Sequence, residues 1–262
     1  MSATGTWWNL PVAMDNSDVA WTADPAIGTI NELGRFTAGS ENAAGIITAS
    51  AGGRIVTIYV TVKKPCPFVD VEGHWSADYV TRLFDLGITK GYSQPDGTYL
   101  YKPSGQLSRG ELLVFISRML GVDTALYQDV ELPFADAPDI DGWMLADVRA
   151  MYALGVFQGN GRDGALYADV KDSVTREAAM TMLGRVLAET KTCDLTGFDD
   201  GEQVSPWANS YVQTLVAIGV VEGNGNRLRP QDYIDRAAAA KLLVSVYELE
   251  KAPLLPRGDL TG

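Results

Sequence analysis

Three arginines stand where a helix disfavours them. Arg109, Arg176 and Arg236 each follow a residue able to cap a helix (Ser108, Thr175 and Asp235), and each opens a run with helical apolar spacing: RGELLVFISRMLG, REAAMTMLGRVLAE and RAAAAKLLVSVYELE. In the first run Glu111 completes a capping box with Ser108. Free N–H groups and aligned peptide dipoles make a helix start locally positive, so a cation there is disfavoured by roughly a few tenths of a kcal/mol. One such charge is noise, but three at matching places need a cause. A helix start is an anion site in its own right, and a guanidinium adds a bidentate, permanently charged donor. The chemistry on offer is therefore capture of an anion. The competing account is structural: each arginine bridges to Asp70, Asp136 or Asp200, in its own or a neighbouring segment. Both accounts stay open at the level of the residues.

The arginines are positioned by a repeat. The segments FVDVEGHWSADYVTRLFDLGITKG, FADAPDIDGWMLADVRAMYALGVFQG and FDDGEQVSPWANSYVQTLVAIGVVEG each open with Phe-x-Asp, at Asp70, Asp136 and Asp200. A tryptophan follows (Trp75, Trp143, Trp207), and each segment ends on a glycine (Gly91, Gly159, Gly223) 16 residues after its tryptophan. A constant spacing implies a fixed local structure: a helix of about three turns opened by tryptophan and closed by the Gly-x-x-x-Gly segment. A variable loop leads to the arginine and a second amphipathic helix. The aspartates read first as caps, the tryptophans as core packing and the glycines as helix stops. Units of about 55 residues cannot bury two helical faces alone, so they should pack on one another.

Composition narrows the classes. The 262 residues are 46% hydrophobic and carry a net charge of −12, which disfavours binding to a nucleic-acid backbone. Residues 1–64 hold 4 basic and 5 acidic side chains, so the acidity belongs to the remainder. Two cysteines, Cys66 and Cys193, and one histidine, His74, cannot build the usual structural zinc site; a Cys66–Cys193 bridge and two free thiols both remain open. No apolar run approaches the roughly 20 residues of a membrane span. The opening MSATGTWWNL lacks the basic start and apolar stretch of a secretory leader, so an exported role implies a piece of a longer precursor. In ADAPDIDGW, Asp139 and Asp141 fit calcium-loop positions, but Ala137 and Val148 occupy the first and last, so it reads as a turn. No nucleophile motif supports catalysis, and no cofactor, metal or catalytic residue is expected.

Residues 19–62 read as short strands. VAWTAD alternates, GTINELGRFTAG has two runs around Glu-Leu-Gly, and GIITASAGGRIVTIYVTV reads as a hairpin turning at Gly52-Gly53. This suggests part of an antiparallel sandwich. The order of Trp, Pro, Gly-x-Phe-Thr-Ala and Ile-Thr-Ala resembles about the C-terminal two-thirds of the bacterial immunoglobulin-like surface domain. That resemblance implies a spacer, with early strands drawn from TWWNLPVAM and with Trp7 and Trp8 packing in a core or edge rather than forming a sugar platform.

The three repeats resemble the S-layer homology domain. The first carries FVD, HW, LGITKG, DGTY, YKP and LSRGE in order, and the likeness covers about residues 67–252. The expected architecture is a small, incomplete all-β immunoglobulin-like sandwich (1–64), then an all-α monomeric pseudotrimer of three helix-loop-helix repeats (67–123, 133–190, 197–252) and a tail (253–262), with the helices after the arginines forming a central bundle. The resemblance implies non-covalent anchoring of an exported protein at the bacterial surface, by binding a peptidoglycan-linked secondary cell-wall polysaccharide that bears a pyruvate-ketal amino sugar. The ketal carboxylate would be the anion for Arg109, Arg176 and Arg236. Gly91, Gly159 and Gly223 would let backbone approach the sugar, and Trp75, Trp143 and Trp207 would stack on it. Asp70, Asp136 and Asp200 are further candidates. The alternative is a protein-interaction module that assembles a surface layer without binding glycan, and any enzyme activity of the parent would lie upstream.

The copies differ. The second has Ala178 in the usual glutamate place, with Glu177 shifted by one, and Asp169 where the others have Pro103 and Pro230. The third lacks DGT and has Ala238 in the glutamate place, and Asp235 beside Arg236 should neutralise it. Pocket competence is therefore ranked first, second, third.

Overall fold

The structure is a computed structural model that describes residues 4–7, 10–13, 15, 18–63 and 66–249. The chain divides into two units, Met1–Pro65 and Cys66–Gly262.

The first unit is built on the longest β-branched run. Strands β6 (Ala43–Ala51) and β7 (Arg54–Val62) pair antiparallel from Ala43 opposite Val62 to Ala51 opposite Arg54. Gly52 and Gly53 connect them with φ of 55° and 76°, the left-handed pair that a two-residue hairpin turn requires. β3 (Ala20–Ala23) pairs with the other edge of β6, giving the order β3-β6-β7. β4 (Gly28–Ile30) and β5 (Phe36–Ala38) form a second hairpin around the expected Glu-Leu-Gly turn. Among the described residues β1 (Thr4–Trp7) and β2 (Leu10–Ala13) pair only with each other. Ile27, Ile47 and Val62 are buried, with Trp21 and Phe36 packed against them. The roles expected of the Trp7 and Trp8 side chains lie outside the described residues.

The second unit contains two helices per repeat: α1 (Ala77–Asp85) and α2 (Arg109–Leu120), α3 (Gly142–Ala153) and α4 (Arg176–Gly184), α5 (Asn209–Ala217) and α6 (Arg236–Tyr247). Each first helix ends in a Schellman motif. Ile88 N–H returns to Leu83 O and Gly87 N–H to Phe84 O, and Val156 and Gly155, then Val220 and Gly219, repeat the pair. The helix stops are thus Gly87, Gly155 and Gly219 at φ of 70°, 74° and 77°, not Gly91, Gly159 and Gly223 as the sequence suggested. Hairpins follow, β8 (Tyr92–Ser93) with β9 (Tyr99–Leu100) and β10 (Asn160–Arg162) with β11 (Ala165–Tyr167), reduced in the third repeat to one bridge between Asn224 and Arg227.

α2 is apolar around most of its circumference, and Leu112 to Ile116 are all buried. It meets α4 and α6, which also meet each other, while each first helix packs on the second helix of the preceding repeat: α3 on α2, α5 on α4, and α1 on α6. The segments entering the second helices close a ring of hydrogen bonds: Leu107 N–H to Ile234 O (3.3 Å), Ile234 N–H to Val174 O (3.0 Å) and Val174 N–H to Leu107 O (2.9 Å). Among the described residues no helix is long and apolar enough to cross a membrane.

α4 stops five residues short of the helical run read from the sequence. After Gly184 the chain tightens to i−3 bonds, Val186 N–H to Leu183 O and Leu187 N–H to Gly184 O. Gly184 is pressed against the Tyr211 side chain, where a Cβ would lie 2.7 Å from Tyr211 Cβ. Cys66 and Cys193 are free thiols, which settles the bridge left open above.

Candidate functional site

The N–H groups at the three arginine-bearing helix starts are not vacant. Arg109 N–H and Gly110 N–H donate to Asp172 O and Val170 O, Arg176 and Glu177 to Asp232 O and Pro230 O, and Arg236 and Ala237 to Gly105 O and Pro103 O. The third donor is met by the cap: Ser108 Oγ for Glu111, Thr175 Oγ1 for Ala178 and Asp235 Oδ1 for Ala238. The free-amide anion site read from sequence is therefore filled by the next repeat's backbone, and what remains for chemistry is the guanidinium.

Nor do the arginines bridge to the Phe-x-Asp aspartates. Each Nε donates to a carbonyl of the following repeat, Arg109 to Ala168 O (3.2 Å), Arg176 to Leu228 O (2.9 Å) and Arg236 to Tyr101 O (2.9 Å). The aspartates hold that same segment from behind. Asp136 accepts from Ala168 N–H (2.7 Å) and Asp169 N–H (2.8 Å), Asp200 from Leu228 and Arg229 (2.7 and 2.8 Å), and Asp70 from Tyr101 and Lys102 (2.8 and 2.7 Å). The carboxylates of Asp70, Asp136 and Asp200 thus bind backbone of the segment 28 to 33 residues on rather than capping a helix with their side chains. They pin Lys102, Asp169 and Arg229 at φ of 61°, 49° and 53°, a left-handed conformation that side chains seldom take. This register also corrects the alignment: Asp169 matches Lys102 and Arg229, and it is Val170 that stands in the place of Pro103 and Pro230.

Gly91, Gly159 and Gly223 have a packing reason as well. Their φ values are 63°, 71° and 77°, and a Cβ at each would strike the Phe ring of its own Phe-x-Asp motif (Phe68, Phe134 or Phe198). The tryptophans overturn the core-packing expectation: Trp75, Trp143 and Trp207 are 57%, 57% and 53% exposed.

Of these residues Arg109, Gly159 and Trp207 meet in one groove that draws on all three repeats, and the other candidates do not line it. A cavity of about 410 Å³ is lined by Arg109 of the first repeat, Gly159, Asn160 and Ala178 of the second, and Trp207 of the third. A wider recess of about 790 Å³ shares Arg109, Asn160, Ala178 and Trp207 and adds Glu177, held by Ser205 and Gln231. Among the described residues no carboxylate pairs with Arg109 or with Arg176. Burial pushes both guanidinium groups below the ordinary arginine value, opposed by the charges of Asp169, Asp172 and Asp136 for Arg109 and of Asp235 and Asp232 for Arg176. Neither guanidinium makes an ion pair among the described residues, although these aspartates lie near enough to act on its charge. Arg236 differs: its Nη1 pairs with Glu111 Oε1 at 2.8 Å, while Asp235, expected to neutralise it, is occupied as a cap.

Two groove residues escaped the sequence reading. Arg185 donates to Val156 O and Gln158 Oε1, and its Nε is buried without a partner. Thr181 Oγ1, also lining the cavity, is buried without a partner too. The available signal was an arginine nine places after the repeat arginine in two copies, Arg118 and Arg185.

Residues 67–113, 133–179 and 197–240 match the family described as S-layer homology domain. The chain is similar to the S-layer protein of Bacillus licheniformis, 28% identical over 201 residues, covering 76% of this chain and 22% of that protein. It is similar to the cellulosome-anchoring protein of Acetivibrio thermocellus, 30% identical over 171 residues (63% and 36%), and to exoglucanase XynX of the same organism, 25% identical over 193 residues (71% and 17%). It thus spans between 17% and 36% of the lengths of these curated relatives.

Proposed function

This chain belongs to the S-layer homology domain family, and we propose that it anchors an exported protein to the bacterial cell wall by binding a peptidoglycan-linked polysaccharide with a pyruvylated amino sugar. The observation that carries the reading is Arg109: a buried, permanently charged donor with no carboxylate partner among the described residues, set in a cavity beside an exposed indole. A carboxylate on a sugar matches both features. The guanidinium takes the anion in a charge-assisted pair worth about 1.5–3 kcal/mol, and Trp207 offers a flat apolar face to the ring. Gly159 admits the sugar close to backbone, and Thr181 Oγ1 supplies an unused hydroxyl. The relatives named for S-layers and cellulosome anchoring support a role at the cell surface.

The ring of Leu107, Val174 and Ile234 and the cyclic helix packing support a threefold pseudosymmetric assembly of the repeats. For residues 1–64 we propose the spacer role of a partial immunoglobulin-like domain.

The test is calorimetric titration with cell-wall polysaccharide before and after mild acid removal of pyruvate, with Arg109→Ala alongside. Binding that needs both pyruvate and Arg109 is expected. Equal binding by variant and wild type, or self-association without any glycan binding, refutes the proposal and favours a protein-interaction module.

A further inference from the structure

The three exposed tryptophans share a spacing but are not held alike. Trp207 lies in the turn that enters α5. Ser205 O accepts from Ala208 N–H (2.9 Å) and Asn209 N–H (3.1 Å), so the turn that carries the indole hangs on Ser205. Ser205 is held in turn by Glu177, the residue after the repeat arginine in the second copy. Glu177 Oε1 accepts from Ser205 Oγ (2.7 Å) and Oε2 from Ser205 N–H (2.9 Å). Gln231 Nε2 donates to Glu177 Oε1 (3.0 Å) and to Gln203 O (3.1 Å). Glu177 is 2% exposed. A carboxylate is costly to bury unless donors meet it, and the donors that meet this one, on Ser205 and Gln231, both belong to the third repeat.

The other two tryptophans have different supports. α3 packs on α2, where Gly110 stands in the place of Glu177, and two residues before Trp143 comes Asp141, in an exposed ion pair with Lys171 at 3.3 Å. α1 packs on α6, where Ala237 stands in that place, and two residues before Trp75 comes Gly73. Trp75 has ring neighbours instead, His74 at 5.5 Å and Tyr79 at 6.4 Å. Among the described residues no hydrogen bond or ring contact holds the Trp207 indole itself, so its backbone sets its place at the cavity.

We infer that Glu177 is a positioning residue for Trp207: by fixing Ser205 it sets the indole at the wall of the cavity that Arg109 lines. The glutamate that stands one place away from its usual position thus has work of its own, across the seam between the second and third repeats. An indole fixed in advance needs no ordering when a ligand arrives, and a loosened turn would leave that ordering to the binding step. That the indole serves a sugar rests on the wall-anchor reading, whereas the clamp on Ser205 does not.

The clamp is tested without ligand by fluorine NMR of protein labelled with fluorotryptophan, each resonance being assigned by its loss in a Trp→Phe variant. Glu177→Ala is expected to move and narrow the Trp207 resonance while those of Trp75 and Trp143 stay in place. Ala237 fills the same place in the third repeat, so the helix start accommodates alanine. Glu177→Gln, which keeps one acceptor oxygen, gives the same pattern at smaller amplitude and serves should Glu177→Ala fail to fold. An unmoved Trp207 resonance, or an equal movement of all three, overturns the inference. Binding is then read by calorimetric titration with a pyruvate-ketal amino-sugar methyl glycoside, at the site that Arg109→Ala removes. Glu177→Ala is expected to weaken that site about fivefold on the native chain. In a Trp207→Ala background the loss should be less than about twofold, because the glutamate then has no indole to place. An equal loss in both backgrounds, or none on the native chain, overturns the inference. A glycoside that binds wild type nowhere refutes the anchor reading instead, and the fluorine spectra alone then decide the clamp.

Discussion

Asp200→Asn measures how far the fold depends on a carboxylate aimed at backbone. Asp200 is 3% exposed and accepts from Leu228 N–H at 2.7 Å and Arg229 N–H at 2.8 Å. Asparagine fits the same space but has one acceptor oxygen. One of the two N–H groups then faces an NH2 and is left unsatisfied, at about 1–3 kcal/mol. The surviving bond loses its ionic character, which removes about 1 kcal/mol more. The Arg227 Nε contact at 3.7 Å adds little, because that side chain is half exposed. The expected loss is therefore about 2–4 kcal/mol at pH 7, read as a lower urea midpoint at unchanged slope by tryptophan fluorescence. The effect has a pH signature. Burial pushes the Asp200 carboxyl up, but the two N–H bonds and Arg227 outweigh it and hold the group below the ordinary range. A carboxylate depressed in the native state contributes in full above its unfolded value of about 3.9 and loses that contribution as pH falls through the lower native value. The gap between wild type and variant must therefore close on acidification. A loss below about 0.5 kcal/mol at pH 7, or a gap that persists undiminished to about pH 2.5, would refute the reasoning.

Three further outcomes are expected. Gly159→Ala must place a Cβ against the Phe134 ring and 2.7 Å from Tyr167 O at a φ of 71°, so it should destabilise by at least about 2 kcal/mol in the same urea assay. Trp207→Ala removes an exposed side chain, so stability should change by no more than about 0.5 kcal/mol while polysaccharide affinity falls; a folded variant with wild-type affinity removes the indole from the site. Because the chain carries a net charge of −12 and the proposed ligand is an anion, long-range steering is repulsive, and affinity titrated from low to high salt should stay nearly flat; a steep loss would contradict a local pocket.

Much of the local structure was legible. The Ser108–Glu111 box, the Gly52-Gly53 hairpin and the helices opened by the three arginines follow from residue types at fixed offsets, because the physics of a cap or a two-residue turn is contained within a few residues. The site was less legible, because its logic is non-local. Arg109 matters through Ala168 and Ala178, 59 and 69 positions away, and no periodicity announces that a carbonyl 59 residues on will take its Nε. The aspartates misled for the same reason: Phe-x-Asp before a helix resembles a cap until the partner segment is in place. The tryptophans misled because a regular spacing says that a side chain has a fixed role, not whether that role faces core or water. The early end of α4 shows the limit of apolar pattern, since Gly184 yields to the approach of Tyr211 from the third repeat.

The three hydrogen bonds joining Leu107, Ile234 and Val174 give the array a fixed membership. In an open solenoid each repeat stacks on the last, and units can be added or lost at the ends at modest cost. Here the third unit docks back onto the first, as α1 does on α6 and Arg82 on Glu248 at 3.0 Å, so there is no end at which to add a fourth. Removing one unit strips both survivors of a neighbour, leaving two cut backbone seams and two uncovered helix faces. An array lacking one unit should therefore be less stable than the closed one, and a nascent chain completes the groove, which draws on all three repeats, only once its last repeat has been made. The three bonds run from each repeat to another and back to the first, as interfaces do in a ring of subunits.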